Sequence, residues 1–559
     1  MNRALLAFFI VIAAILLLSF YSLFMGQKRM RRGTLEEVLE KWGKKGDYRF
    51  NQALKNSIAS YSMSDKNPVV DNITWHDLDM DRLYRNLNTT RSSCGDCILY
   101  DRLRNPSFSK DELEKINQLA EFFTKNKESR TKLQLILSEI GRDEEKSIYE
   151  QLCGARNASF IGGKGYIILA FLTLADIVFF FFVPLIATIL IFPLVGVNIY
   201  LSLRMKENTE DPIDAFQAVL RMLKAVDKLE KAGIGEISDY TEDLKKQREE
   251  LKDFRHGAFL VTGRNRYAEG PGEAILQYIK LFFHVDLMKF DQMLKALQGH
   301  EEAAFSMMKN FGFLDMALCV ASYRKSLPVW CRPELTESLE ASLEIEKMTH
   351  PLINNPVPNS VALKGGNLIT GSNASGKSTF LRNVALCVLM AQGLDTVPAA
   401  SYKGNFLRVM TSMALTDNLE NGESYYVVEI RSLKRILEAT KEETPILTIV
   451  DEVLRGTNTI ERIASSSQIL KQLVRPNVIS LAATHDIELT YLLEGFYSNY
   501  HFEEAVGLDD VVFDYKLKEG RSKTRNAIRL LESFHYDKDI VSAAAASAAH
   551  FEETGEWKL

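Results

Sequence analysis

Hydrophobic and polar positions are unevenly spread along this chain. Two blocks carry almost no charge, and much of the rest repeats apolar residues at helical spacing. The first block runs from Ala4 to Met25 without a charged residue. As a helix it would span about 33 Å, against about 30 Å for the hydrocarbon core of a bilayer. A cleaved leader has a shorter apolar core, about 7–15 residues, followed by a small-residue cleavage site. Here Arg3 alone precedes the run, and Lys28, Arg29, Arg31 and Arg32 follow it. The pattern predicts an uncleaved anchor over 1–27, with the chain beyond it on the basic, cytoplasmic side. The second block runs from Tyr166 to Leu203. One helix of that length would reach about 57 Å, nearly two bilayers, so two short spans joined near Pro184 fit better. Lys164 precedes the block, and Arg204 and Lys206 follow it, so a hairpin over 164–206 with both ends cytoplasmic is predicted. Asp176 is its only charge. A carboxylate inside a bilayer costs roughly 2.5–3.5 kcal/mol on insertion scales. Without a basic partner in the block, Asp176 reads as a protonated or hydrated group near the turn.

In the last third of the chain the pattern changes to short apolar runs bounded by turn residues, the mark of buried strands. Residues 367–379 read Asn-Leu-Ile-Thr-Gly-Ser-Asn-Ala-Ser-Gly-Lys-Ser-Thr, and the helical pattern Phe380-Leu-Arg-Asn-Val-Ala-Leu follows. From Gly371 to Ser378 the spacing is G-x-x-x-x-G-K-S. Glycines there let successive backbone N–H groups curl around phosphate oxygens. The expected cradle is Gly371, Ser372, Asn373, Ala374, Ser375, Gly376, Lys377, Ser378 and Thr379. Lys377 reaches the β- and γ-phosphates, and the Ser378 hydroxyl ligates Mg²⁺. Further on, Ile446-Leu-Thr-Ile-Val450 is a buried-strand run ending in Asp451-Glu452. A carboxylate at that strand end suits Mg²⁺, which assigns Asp451 to the metal, and Glu452 can orient or deprotonate the attacking water. A third run, Val478-Ile-Ser-Leu-Ala-Ala, ends at Thr484-His485. His485 at that edge can sense the γ-phosphate. These motifs require ATP, and hence the cytoplasm. A hairpin at 164–206 keeps them there; a single crossing would not.

Composition narrows the class. With 559 residues the prior is three or four structural units, and 46% hydrophobic residues, 25% charged and 14 prolines describe a folded protein. Lys plus Arg number 68 and Asp plus Glu 73, for a net charge of −5. A globally basic nucleic-acid coat is excluded; a local basic groove is not. Cys94 and Cys97 form a C-x-x-C in a run that reads as an ordinary helix, and no second pair stands at zinc spacing. This fits a reducing compartment. The cluster Lys245, Lys246, Arg248, Lys252, Arg255, Arg264 and Arg266 is interleaved with or flanked by Glu242, Asp243, Glu249, Glu250 and Asp253, which reads as a solvated helix face.

The order and wording of the motifs resemble the MutS family of DNA mismatch-repair ATPases. Residues 308–333 look like the helix that enters the family's ATPase. His350-Pro351-Leu352 looks like its R-H-P segment, with Thr349 in place of the Arg. The phosphate loop is similar to T-G-P-N-M-x-G-K-S-T, and Val397-Pro398-Ala399 to V-P-A. Asn421-Gly-Glu-Ser-Tyr-Tyr-Val-Val-Glu429 is similar to G-x-S-T-F-x-x-E-M. Asp451-Glu452 with Arg455-Gly456-Thr457-Asn458-Thr459 is similar to D-E-x-x-R-G-T-S-T, and Ala483-Thr484-His485 to A-T-H. Arg521 to Ala543 resembles the helix-turn-helix that closes the family's ATPase. Residues 80–142 resemble the start of its helical core domain.

The resemblance implies a multidomain protein: an α-helical core domain, here with transmembrane helices, plus an α/β P-loop ATPase ending in a helix-turn-helix. The expected divisions are an anchor at 1–27, helical core at 28–163, membrane hairpin at 164–206, helical lever at 207–330, ATPase at 331–519 and tail at 520–559. The implied cofactors are ATP and Mg²⁺. Asn373 and His485 would line the γ-phosphate. Ser424 would be offered across a homodimer to the nucleotide of the second copy, so that the ATP sites are shared. DNA is an implied partner, and the localisation is a multi-pass cell membrane with the ATPase in the cytoplasm. Some departures stand out. Asn355-Pro356 precede Val357-Pro358-Asn359 where the family commonly has an aromatic residue near the adenine, and Glu423 stands where an Arg is usual. Residues 26–80 are too short for the mismatch-reading domain. The alternative reading is a membrane ATPase that uses the same engine for signalling or remodelling without DNA. A transporter of the ABC type fits least, since the chain has no L-S-G-G-Q.

Overall fold

The computed structural model describes residues 32–64, 68–158, 163–258, 261, 282–372, 375–413, 425–455, 457–506, 511–522, 528, 531 and 534–558. The expected anchor over 1–27 and most of 523–533, in the expected helix-turn-helix, lie outside them. The chain divides into two units. One takes Met1–Ser64, Asn88–Tyr100 and Gln118–Tyr323; the other takes Asp65–Leu87, Asp101–Asn117 and Arg324–Leu559.

Among the described residues, every regular element of the first unit is a helix. Local signals start several of them: Asn51, Asn126 and Ser147 each accept a backbone N–H of the first turn of helices Gln52–Ser62, Lys127–Ile140 and Ile148–Asn157. The helix Pro184–Ala232 has 49 residues, runs through Pro193 and Pro212, and stops at left-handed Gly233. In its second half Phe216, Val219, Met222, Leu223, Val226 and Leu229 are buried at helical spacing. They pack towards Lys127–Ile140 and Ile148–Asn157. A polar anchor lies on helix Glu301–Ser326. Buried Asp315 accepts from the Arg91 N–H at 2.9 Å, the Ser92 N–H at 2.8 Å and the Ser92 hydroxyl at 2.6 Å. A side chain at Gly95 would meet that carboxylate, since a Cβ there would lie 2.4 Å from Asp315 Oδ2.

The second apolar block forms helix Gly163–Phe180, a turn over Phe181–Val183 and the start of Pro184–Ala232, and the two helices pack on each other. Its burial is inverted relative to an ordinary core. Tyr166, Thr173, Asp176, Ala187 and Asn198 are buried, whereas Phe171, Phe181, Phe182, Leu185 and Phe192 are exposed. The Asn198 amide donates to the Leu194 carbonyl at 2.8 Å and lies 3.5 Å from the Thr173 hydroxyl. Among the described residues two helices are long and apolar enough to cross a membrane. In Pro184–Leu201 11% of the apolar window is buried, and in Glu301–Ser326 72%. The latter is therefore a core helix, and the former is not.

The second unit holds two sheets. Its strands are β1 (Glu334–Thr336), β2 (Ser342–Met348), β3 (Asn359–Lys364), β4 (Gly366–Thr370), β5 (Ser401–Asn405), β6 (Arg408–Ser412), β7 (Ile446–Asp451), β8 (Val478–Ala483), β9 (Tyr497–Val506) and β10 (Val511–Glu519). The smaller sheet runs β1-β5-β2-β3 and the larger β10-β9-β4-β8-β7-β6. In the larger sheet only β10 is antiparallel to its neighbour. Strands β4 and β8 are buried along their whole length, and β7 along all but its last residue, which is why they read as unbroken apolar runs. Helix Lys377–Leu394 covers β6, β7 and β8. A buried ionic cluster ties the unit's early segment to it. Arg324 donates to Asn117 Oδ1, the Asp395 carbonyl and the Thr396 hydroxyl, each at 2.8 Å.

Candidate functional site

Strand register brings the sequence motifs together. Ile369 of β4 and Asp451 of β7 both pair with Ala483 of β8. The loop after β4, the Asp451-Glu452 pair and Thr484-His485 therefore emerge side by side at the carboxyl edge, where ligands bind in parallel sheets. Gly371 and Gly376 take φ of 145° and 105°, conformations that L side chains rarely adopt. The Ser375 hydroxyl donates to the Ser372 carbonyl at 2.8 Å and braces the loop. Lys377 is buried, and its ammonium donates to the carbonyls of Gly371 at 2.7 Å and Ser372 at 2.8 Å. Helix Lys377–Leu394 begins at Gly376 without a side-chain cap. The N–H groups of Lys377, Ser378 and Thr379 belong to the first turn, whose donors have no intrahelical partner, so they suit an anion. Asn373, Ala374 and Ser424 lie outside the described residues.

The two adjacent carboxylates have opposite environments. Burial pushes the Asp451 carboxyl up, against the lowering effect of the Ser378 hydroxyl hydrogen-bonded to it. Its Oδ1 is buried with no hydrogen-bond partner among the described residues. Burial also acts upward on Glu452, but His485 and Arg455 outweigh it and hold that carboxyl at about 2. His485 Nε2 lies 2.9 Å from Glu452 Oε1 and 3.3 Å from the Lys377 ammonium, while Arg455 pairs with Glu452 Oε2.

A family model for MutS domain V matches residues 367–552. That span contains the loop, both carboxylates and His485. Over that span the chain is similar to MutS domain V, which supports a MutS-family protein. MutS protein homolog 4 of Mus musculus is 30% identical over 273 residues, covering 45% of this chain and 28% of that protein. MutS protein homolog 4 of Homo sapiens is 28% identical over 272 residues, with coverage of 45% and 28%. The match thus spans little more than a quarter of either relative. MutS-family proteins are typically ATPases that use ATP and Mg²⁺, work as dimers and bind DNA.

Two residues of this MutS domain had no role in the sequence reading. Glu429, on helix Tyr425–Ala439, is 3% exposed and accepts the Leu454 N–H at 2.6 Å. Burial raises its carboxyl, against the backbone N–H groups of Leu454 and Arg455 that it meets. It thereby braces a turn in which Glu452 and Leu454 both adopt left-handed backbone, with φ of 58° and 59°. The sequence signal was only its place in the Asn421–Glu429 motif. The other is Tyr515 on β10. A Cβ on Gly376 would lie 3.2 Å from its half-exposed ring. Tyr515 has φ of 52° at a bulge. Asn359 holds that bulge, donating to the Tyr515 carbonyl at 2.9 Å and accepting the Leu517 N–H at 2.8 Å. An aromatic ring that Asn355-Pro356 does not supply thus stands beside the loop from β10.

The Glu452 interactions give a pH signature. A carboxyl lowered from 4.5 to about 2 adds stability that is fully present above 4.5 and is lost as pH falls towards 2. The stability difference between wild type and Glu452→Gln, from urea unfolding, is expected to be level above about pH 5 and to shrink towards pH 2. A difference that stays constant over that range would refute the arrangement.

Proposed function

We propose that this chain is a MutS-type ATPase that binds ATP and Mg²⁺ in its P-loop domain, works as a homodimer and is tethered to the cell membrane with that domain in the cytoplasm. The convergence of Lys377, Asp451, Glu452 and His485 at the ends of three parallel strands carries the reading. The residues fit the cofactors. Asp451 offers a buried, unpartnered oxygen beside the Ser378 hydroxyl, a donor set of hard oxygens suited to Mg²⁺. Bound Mg²⁺ would supply positive charge against the phosphate oxygens. Lys377 would exchange the Gly371 and Ser372 carbonyls for phosphate, and the first-turn N–H groups would add their dipoles. Glu452 is ionised throughout the working pH range. A carboxylate that weakly basic suits orienting the attacking water better than removing its proton. Release from His485 or Arg455 would free an oxygen for that water. Tyr515 offers the face on which a base would stack. Ser424 would complete the site of the second copy.

The apolar hairpin supports the membrane reading. Its two apolar stretches, Gly163–Phe180 and Pro184–Leu201, are each about one bilayer long, most of their large apolar side chains face outward as if in lipid, and Thr173, Asp176 and Asn198 turn inward. DNA binding is the inherited partner. The alternative, an engine working without DNA, is favoured by the basic cluster, whose described members are paired with acids. Arg248 meets Asp227 and Glu230 at 2.9 Å, Arg255 meets Asp227 at 2.8 Å, and Lys252 meets Glu249 at 3.1 Å.

Steady-state ATP hydrolysis by the full chain in detergent is expected, and Lys377→Ala should abolish it; persistent hydrolysis would remove the site assignment. In the same assay, absence of salt-dependent stimulation by duplex, mismatched or branched DNA would decide for the alternative. Tyr515→Ala should weaken ATP binding by about tenfold and leave inorganic triphosphate binding unchanged, since only the base uses the ring. An equal loss for both ligands would exclude stacking. Protease added outside intact cells should spare residues 204–559, and their digestion would overturn the topology.

A further inference from the structure

Strand β6 is an edge of the six-stranded sheet, and an edge strand leaves backbone groups without a ladder partner. Here side chains from far earlier in the sequence fill the gap. Thr74 Oγ1 accepts the Thr411 N–H at 3.2 Å. Asp77 Oδ2 accepts the Met413 N–H at 3.0 Å and the Thr411 hydroxyl at 2.6 Å. Thr74, Asp77 and Thr411 are all buried. The Thr411 carbonyl accepts from Arg435, whose guanidinium also pairs with Asp71. A six-residue helix, Asn72–Asp77, thus takes the place of a seventh strand.

The contacts continue to the catalytic edge. Arg435 lies on helix Tyr425–Ala439, and so does Glu429. Glu429 accepts the Leu454 N–H and braces the left-handed turn that bears Glu452. The register pairs Ser412 of β6 with Val450 of β7, so the clamp acts on β6 at the level where β7 delivers Asp451 and Glu452. We propose that Asp71 and Asp77 are positioning residues of the ATPase, which set the orientation of Glu452 through β6, Arg435 and Glu429. The segment 68–87 then belongs to the working engine. A shift of that segment would reach the water-orienting carboxylate before it reached the phosphate loop.

This inference rests on the ATPase reading above, and the experiment separates the two. Hydrolysis and equilibrium ATP binding are measured on the full chain in detergent for wild type, Lys377→Ala, Asp77→Ala, Asp77→Asn, Glu429→Ala and the Asp77→Ala/Glu429→Ala pair. Asp77→Ala and Glu429→Ala should each lower kcat by about tenfold while ATP affinity stays within about threefold. The double variant should be no worse than the poorer single one, because both changes break one chain of contacts. Asp77→Asn keeps one acceptor oxygen and should recover part of kcat. A merely structural clamp would lower melting temperature and the fraction of chains that bind ATP, with turnover per bound site unchanged; that result, or additive losses, overturns the proposal. Should Asp77→Ala fail to accumulate, Thr411→Val, which removes only the hydroxyl, carries the same comparison. Wild type lacking Lys377-dependent turnover overturns the ATPase reading and this one with it. Unchanged kcat in Asp77→Ala, with Lys377 dependence intact, overturns this one alone.

Discussion

The Glu452 N–H donates to the Ala483 carbonyl at 3.0 Å, one step beyond the last residue of β7. That bond extends the β7–β8 pairing past the end of the strand and fixes where the chain turns. With Glu452 at φ 58°, its carboxylate meets His485, two residues past Ala483 on the neighbouring strand. The same register sets Asp451 beside Ser378 and Lys377 beside His485. A slip of one residue in a strand sends each side chain to the opposite face. The candidate site would then lose its carboxylates even with the loop after β4 unchanged. Burial on both faces of β7 and β8 resists such a slip, because their apolar side chains have no solvent face to exchange with.

In the helical unit, hydropathy and burial part company. Glu301–Ser326 is apolar enough to cross a membrane, yet most of it is buried and it holds Asp315, which anchors the start of another helix by accepting from three donor groups. Pro184–Leu201 is more apolar and nearly bare. Its exposed Leu185, Ile189, Leu190 and Phe192 would be costly in water at roughly 25 cal/mol per Å² of apolar surface. Its buried positions carry Asn198, opposite Thr173 on the other helix of the hairpin. Apolar outside and polar inside is the order that lipid favours and water does not.

Local chemistry was legible in the sequence, and long-range chemistry was not. The glycine spacing of the loop, the apolar runs of β4, β7 and β8, and the carboxylates at a strand end all have short-range causes, and each was readable. So was the turn of the apolar hairpin, expected near Pro184 and observed at Phe181–Val183. Glu429 was seen only as a letter in a motif, because its partner Leu454 is 25 residues away. Tyr515 looked like any strand tyrosine, since neither its left-handed backbone nor its approach to Gly376 leaves a mark in the pattern. Asp77 and Thr411 are 334 residues apart, and nothing in the neighbourhood of either predicts the other.

What the structure adds most is the division of labour between two carboxylates that the sequence presents as a pair. Asp451 and Glu452 are consecutive, so their charges repel, and a shared environment would leave both indecisive. The fold separates them instead. Asp451 stays on the buried strand with a raised carboxyl and an oxygen that has no hydrogen-bond partner among the described residues. Glu452 is swung out by the left-handed turn to His485 and Arg455, which outweigh burial and lower its carboxyl to about 2. Pairs of titratable groups pushed in opposite directions are the usual mark of distinct acid, base and ligand roles. Here the push comes from backbone geometry, since one residue's change of φ decides which carboxylate remains in the sheet and which leaves it. The bracing of that turn by Glu429 therefore helps to set the separate environments of both carboxylates.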